Sequence, residues 1–78
     1  MIDAGQIRAA RGFLCWSQSD LADKAGLSVQ TVKRMETKGT GSSTVDNVAR
    51  IQSALESAGC TFLRDDGVQG PGVRARVP

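Results

Sequence analysis

Residues 17–37 read SQSDLADKAGLSVQTVKRMET, two short helical patterns separated by a glycine. Ser17 and Asp20 have the spacing of a capping box, in which each side chain bonds the other's backbone N–H, so the first helix is predicted to begin at Gln18. We expect it to end at Gly26, because glycine adopts the left-handed backbone of a helix C-terminus without steric cost.

A second short helix is predicted directly after this glycine. Leu27 follows the turn as an apolar plug, and Ser28 is a favourable N-cap. Val32 and Met35 then continue an apolar stripe to about Thr37. The stretch therefore predicts two short helices joined by a tight turn.

Two further helices are predicted on either side of this pair. The first runs from about Asp3 to Leu14, and the fourth begins after Thr44 and ends at Gly59. Residues 38–43 carry two glycines and no apolar side chain, so they predict a loop. The apolar stripe expected to bury the fourth helix consists of Val45, Val48, Ile51 and Leu55.

After Gly59 the pattern changes to that of strands. Residues 61–64 and 73–77 are predicted to pair as a hairpin, with turn residues between them. The predicted fold class is mainly α, a four-helix domain followed by a short C-terminal β-hairpin. We divide the chain into residues 1–59, the helical domain, and residues 60–78, a hairpin extension.

Composition limits the functions that the chain can have. Its 78 residues suffice for one small core, and it contains no histidine, the usual general base and metal ligand. Cys15 and Cys60 lack the spacing of a zinc or redox motif, so we expect free thiols, no metal and no cofactor. No apolar run or leader is recognisable, which predicts a cytoplasmic protein. An enzyme is not expected, because the sequence offers no nucleophile–base or metal constellation.

Basic residues gather near the predicted turn. Four basic residues and one acid, Glu36, lie between Lys24 and Lys38, although the net charge is only +2. This local excess is compatible with an acidic partner and is not by itself specific.

The chain resembles the phage-repressor and Cro-like family of bacterial helix-turn-helix DNA-binding domains, the XRE family, over about residues 4–58, with the second and third helices as the helix-turn-helix. Ala22 is small where two helices cross, Gly26 lies in the turn and Leu27 follows it. The segments that carry the resemblance are IRAAR at 7–11, WSQSDLA at 16–22 and AGLSVQTVKRME at 25–36.

The resemblance implies that the third helix enters the major groove of double-stranded DNA. Its solvent-facing candidates for base contact are Val29, Gln30, Lys33 and Arg34. The candidates for phosphate contact are Gln18, Ser28, Thr31 and Lys38, joined by the loop hydroxyls of Thr40, Ser42 and Ser43. For Ser28 and Thr44, simple helix capping is an equal alternative.

Two further residues have structural expectations. Arg11 falls on the buried face of the first helix, where a charge needs a partner, and the resemblance implies an ion pair between Arg11 and Glu36. Trp16 is expected at a helix junction.

The leading hypothesis is a sequence-specific transcriptional regulator, a repressor. The alternatives are an antitoxin that represses its own operon and binds a toxin protein, and a protein-interaction module that does not bind DNA. A homodimer is expected, because one such domain reads few base pairs. Its predicted contact uses the C-terminal strands, with apolar surface from Phe62, Val73, Ala75 and Val77. The alternative is a hairpin that only covers the fourth helix of its own chain.

Overall fold

The computed structural model describes residues 1–75 as four helices followed by a two-stranded hairpin. A single 3₁₀ turn, Thr40–Ser42, lies in the loop before the last helix. The elements are α1 (Ala4–Leu14), α2 (Gln18–Ala25), α3 (Val29–Lys38), α4 (Val45–Ser57), β1 (Cys60–Leu63) and β2 (Gly72–Ala75). The mainly α fold with a C-terminal hairpin is thus confirmed.

The local signals in the sequence set the helix ends. Ser17 and Asp20 form the expected capping box at the start of α2, and Gly26 ends that helix in the left-handed region at φ 69°. Asp3 is the N-cap of α1, so that helix begins one residue later than predicted. The backbone groups left free at these helix ends therefore bond residues only a few positions away in the sequence.

The four helices enclose one apolar core. Its fully buried side chains come from all four helices and include Ile7, Leu21, Val32, Met35, Val48, Ile51 and Leu55. The prediction for Val45 was wrong, because 78% of this residue is exposed. At about 100° of rotation per residue, Val45 lies roughly 120° around the helix axis from Ile51, so it is outside the buried stripe.

The hairpin packs against the helices. Cys60 pairs with Ala75 and Phe62 pairs with Val73 in antiparallel register. Cys60 is part of the core, and the other three contact it from one face of the hairpin. Phe62, Val73 and Ala75, which were predicted to offer apolar surface to a second copy, are half-buried against this chain's own core. Their contact with a second copy stays a prediction.

The second strand was predicted over residues 73–77, and in the structure β2 spans Gly72–Ala75. Val77 and its predicted contact lie outside the described residues.

The side chain of Gln6 fastens the hairpin to α1. This residue is 7% exposed, and its Nε2 donates to the carbonyl oxygens of Leu63 at 3.1 Å and Gly72 at 2.8 Å. Its Oε1 accepts from the backbone N–H of Asp3 at 2.9 Å. One buried amide thus completes the cap of α1 and bonds both strands where their pairing ends.

Within residues 1–75, no helix has both the length and the apolar character needed to cross a membrane.

We predict that Gln6→Ala destabilises the protein by about 1–3 kcal/mol, because it leaves two partly buried carbonyl groups without their donor. Urea unfolding measures the loss, and amide hydrogen exchange should be faster in β1 and β2. Gln52→Ala is the matched control, because the Gln52 amide bonds only the exposed Glu56 side chain on its own helix. Equal stability of the two variants would contradict the fastening role of Gln6.

Candidate nucleic-acid interface

One side of α3 presents a continuous polar stripe to solvent. Gln30, Lys33, Arg34 and Thr37 are all exposed, and their spacings of three, four and seven place them on one helical face. Val32 and Met35, on the other side of α3, have no exposed surface. Burial of that side fixes the rotation of the helix, so the polar stripe must face outward.

The charge on this surface of α3 is entirely positive. Lys33, Arg34 and Lys38 are exposed, whereas the side chain of Glu36, the one acid of the helix, is only 4% exposed. The outer surface of α3 therefore combines three cations with amide and hydroxyl groups. This is the composition of a surface that binds phosphates and base edges.

An ion pair fixes α3 to α1 and confirms the contact expected between Arg11 and Glu36. Arg11 Nε donates to Glu36 Oε2 at 2.7 Å, and Arg11 Nη2 donates to Glu36 Oε1 at 2.8 Å. The hydrogen bond to Glu36 raises the pKa of Arg11 above its usual value, more than partial burial lowers it. The ion pair with Glu36 therefore favours the charged guanidinium.

Two further hydrogen bonds from α1 add to this ion pair. Arg11 Nη1 donates to the carbonyl oxygen of Trp16 at 2.9 Å, and Arg8 Nη1 donates to the carbonyl oxygen of Glu36 at 2.6 Å. Arg11 thereby holds the segment before α2, and Arg8 holds the last turns of α3. Both helices of the helix-turn-helix are thus attached to α1.

Gln18, a predicted phosphate contact, has a protein partner that the sequence did not reveal. It is half-buried at the start of α2, and its Nε2 donates to Glu36 Oε1 at 3.2 Å. One amide N–H and the amide oxygen are not used in this bond. Gln18 therefore retains groups that could bind DNA.

The residues at the start of α3 bond one another. Ser28 Oγ accepts from the backbone N–H of Thr31 at 3.2 Å, and the two hydroxyl oxygens are 2.9 Å apart. Ser28 therefore caps α3, the alternative weighed for it. Val29 is half-buried and packs against the core, so only part of its side chain is available to a thymine methyl group.

The hydroxyl groups of the loop before α4 are mostly occupied. Thr40 is 6% exposed and donates to the carbonyl oxygen of Ile2 at 2.9 Å, so its predicted phosphate contact was wrong. Ser42 is exposed, but its hydroxyl donates to the carbonyl oxygen of Gly39 at 2.7 Å, and Ser43 is half-buried. Thr44 caps α4, accepting from the N–H of Asn47 at 3.1 Å.

Trp16 lies at the junction before α2, as expected. It is half-buried against the core, and Lys24 Nζ is 5.9 Å from the centre of its ring, within the range of a cation–π contact. Among residues 1–75, no cluster of three or more Cys, Asp and Glu side chains could hold a metal ion.

A family model described as Helix-turn-helix matches residues 7–58. The chain belongs to the XRE family of helix-turn-helix proteins. This family consists of DNA-binding transcriptional regulators, so DNA is the partner of the XRE domain. No curated protein matches the chain significantly.

In this XRE domain the predicted site residues are divided between two helices and the turn. Gln18 begins α2, Ser28 precedes α3, and the other candidates lie on α3, apart from the hydroxyls of Thr40, Ser42 and Ser43 in the loop before α4. Thr37 belongs to the same exposed stripe and was not among them. Its spacing of seven from Gln30 could have identified it, although its hydroxyl donates to the Lys33 carbonyl oxygen at 2.6 Å.

We predict that Glu36→Ala lowers the free energy of unfolding by about 3 kcal/mol, because it leaves Arg11 half-enclosed without its carboxylate. Thermal and urea unfolding measure this loss. Asp46→Ala is the control, because it removes the exposed ion pair with Arg50 on α4 and should cost less than about 1 kcal/mol. Similar losses in both variants would exclude a special structural role for the buried pair.

Proposed function

We propose that this protein is a sequence-specific repressor that reads the major groove with α3. The observation that carries the proposal is the outer surface of α3, where three cations and a glutamine are exposed while the one acid is turned inward. A helix of this width fits the major groove, and a fixed rotation is needed if the same side chains are to meet the same bases.

Base recognition is assigned to the exposed stripe. Gln30 can donate to and accept from adenine, and Lys33 or Arg34 can donate to guanine. Val29 has a smaller part, contact with a thymine methyl group through its exposed portion. These side chains would set the sequence preference.

Backbone contacts are assigned to residues around the stripe. Lys38 would supply a positive charge, and Gln18 would donate its remaining amide N–H. Ser28 and Thr31 share one hydrogen bond between their hydroxyl groups, which leaves one hydroxyl hydrogen for a phosphate. Phosphates carry no base information, so these residues would position the domain without specifying sequence.

The repressor role follows from steric exclusion, because a protein seated on a promoter blocks other proteins from the same DNA. An autoregulating antitoxin would use the same surface of α3 and would also co-purify with a toxin encoded beside it. A protein-interaction module without DNA binding is disfavoured, because a surface with three cations and no acid suits a polyanion better than a mixed protein surface.

We further propose that residues 1–59 form the DNA-binding unit and residues 60–78 the element that joins two copies. Each strand of the hairpin has an outer edge that is unpaired in the described residues, and edges of this kind accept another strand through backbone hydrogen bonds. Pairing across a two-fold axis would present two copies of α3 to successive turns of DNA.

The α3 assignment predicts that Gln30→Ala and Lys33→Ala each lose about 1–3 kcal/mol of discrimination between preferred and random DNA, with stability unchanged. Preferred DNA is obtained by enriching genomic fragments on the purified protein. Arg64→Ala, which removes an exposed cation of the hairpin, should keep the preference. Unchanged preference in both α3 variants would contradict the assignment.

The dimer proposal predicts that the full chain sediments as a dimer as its concentration rises. Amide hydrogen exchange in β2 should then be slower above the concentration of association than below it, because strand pairing protects the edge N–H groups. Association with unchanged protection of both strands would place the dimer contact elsewhere, and a monomer at all concentrations would contradict the dimer.

A further inference from the structure

The amide of Gln18 is held by a carboxylate that lies inside the domain. Glu36 is 6% exposed, and its Oε1 accepts from Gln18 Nε2 at 3.2 Å and from Arg11 Nη2 at 2.8 Å. One oxygen therefore joins α1, α2 and α3. The residue at the DNA-facing start of α2 and the ion pair that fixes α3 are parts of a single network.

The chemistry of this network selects one orientation of the Gln18 amide. A carboxylate beside a charged arginine is ionised and only accepts hydrogen bonds, so it requires the NH₂ group of Gln18 on its side. The opposite orientation would set the amide oxygen against the carboxylate oxygen, two acceptors with no proton between them. Glu36 thus determines where the second N–H and the oxygen of the Gln18 amide point.

We propose that Glu36 is a positioning residue for DNA binding, which orients the Gln18 amide before DNA arrives. The inference rests on the proposed phosphate contact of Gln18. A glutamine side chain has several rotatable bonds, and a side chain that is already ordered in the free protein loses less conformational entropy when it binds. The same carboxylate holds α3, so the phosphate contact and the base-reading stripe keep a fixed spacing.

A test must remove the acceptor without leaving a buried charge unpaired. The double variant Arg11→Met/Glu36→Met does so, because replacing both members of a buried ion pair with apolar residues is often tolerated. Gln18→Ala is then measured in the parent and in this double variant, as affinity for random-sequence duplex DNA at fixed salt concentration.

In the parent, Gln18→Ala should weaken binding about fivefold, the equivalent of one ordinary hydrogen bond. In the double variant it should weaken binding less than about twofold, because an unoriented amide contributes little. Lys38→Ala is the matched control. It removes a charge that Glu36 does not hold, and its effect should be the same in both backgrounds.

A second measurement does not involve DNA. The relaxation of the Gln18 side-chain ¹⁵N nucleus in the free parent should give an order parameter close to that of rigid backbone, about 0.85, and one below about 0.6 in the double variant. If the double variant fails to fold, Glu36→Gln replaces it. The amide oxygen of this variant still accepts from the Arg11 guanidinium, and because a neutral amide accepts either orientation of Gln18, the variant should also increase the mobility of Gln18.

The outcomes separate the two proposals. If Gln18→Ala binds DNA as the parent does, the phosphate contact is wrong and the positioning role falls with it. If Gln18→Ala weakens binding equally in both backgrounds, or the Gln18 amide is already mobile in the parent, the contact stands and the positioning role of Glu36 is overturned.

Discussion

The structure depends on the ion pair between Glu36 and Arg11. An acid on the recognition helix would repel DNA if it faced outward, and it would be costly inside the domain without a partner. Two short hydrogen bonds from Arg11 allow it to stay inside. The same pair therefore holds α3 against α1 and leaves only cations among the charges on the outer surface of α3.

Helix α1 links the two ends of the molecule. Through Arg8 and Arg11 it holds the last turns of α3, and through Gln6 it holds both strands of the hairpin. The hairpin and the last turns of α3 are therefore held by the same helix. This connection gives the hairpin a defined relation to the DNA surface although it lies outside the matched region.

Local signals made the helical part of the fold predictable. The capping box of Ser17 and Asp20 joins residues three positions apart, and the left-handed turn at Gly26 depends on that glycine alone. Both features can therefore be recognised in the sequence. Burial of Val32 and Met35 followed from helical spacing, which also left the stripe of Gln30, Lys33 and Arg34 facing solvent. The pair of Arg11 and Glu36 came from the family resemblance.

Three hydrogen bonds that sequence reasoning missed join distant segments. Gln6 bonds Gly72, 66 residues away, Thr40 bonds Ile2, 38 residues away, and Gln18 bonds Glu36, 18 residues away. No periodicity or capping rule identifies such partners, because the distance between them is set by packing of the whole core. The error at Thr40 has this origin.

The central claim is that the outer surface of α3, held by α1, contacts DNA. Backbone amide shifts of the ¹⁵N-labelled protein, recorded during titration with a genomic fragment that the protein enriches, test it most directly. We expect the changes to centre on residues 28–38 and the start of α2. Changes centred on β1, β2 or the exposed side of α4, with α3 unaffected, would contradict the account.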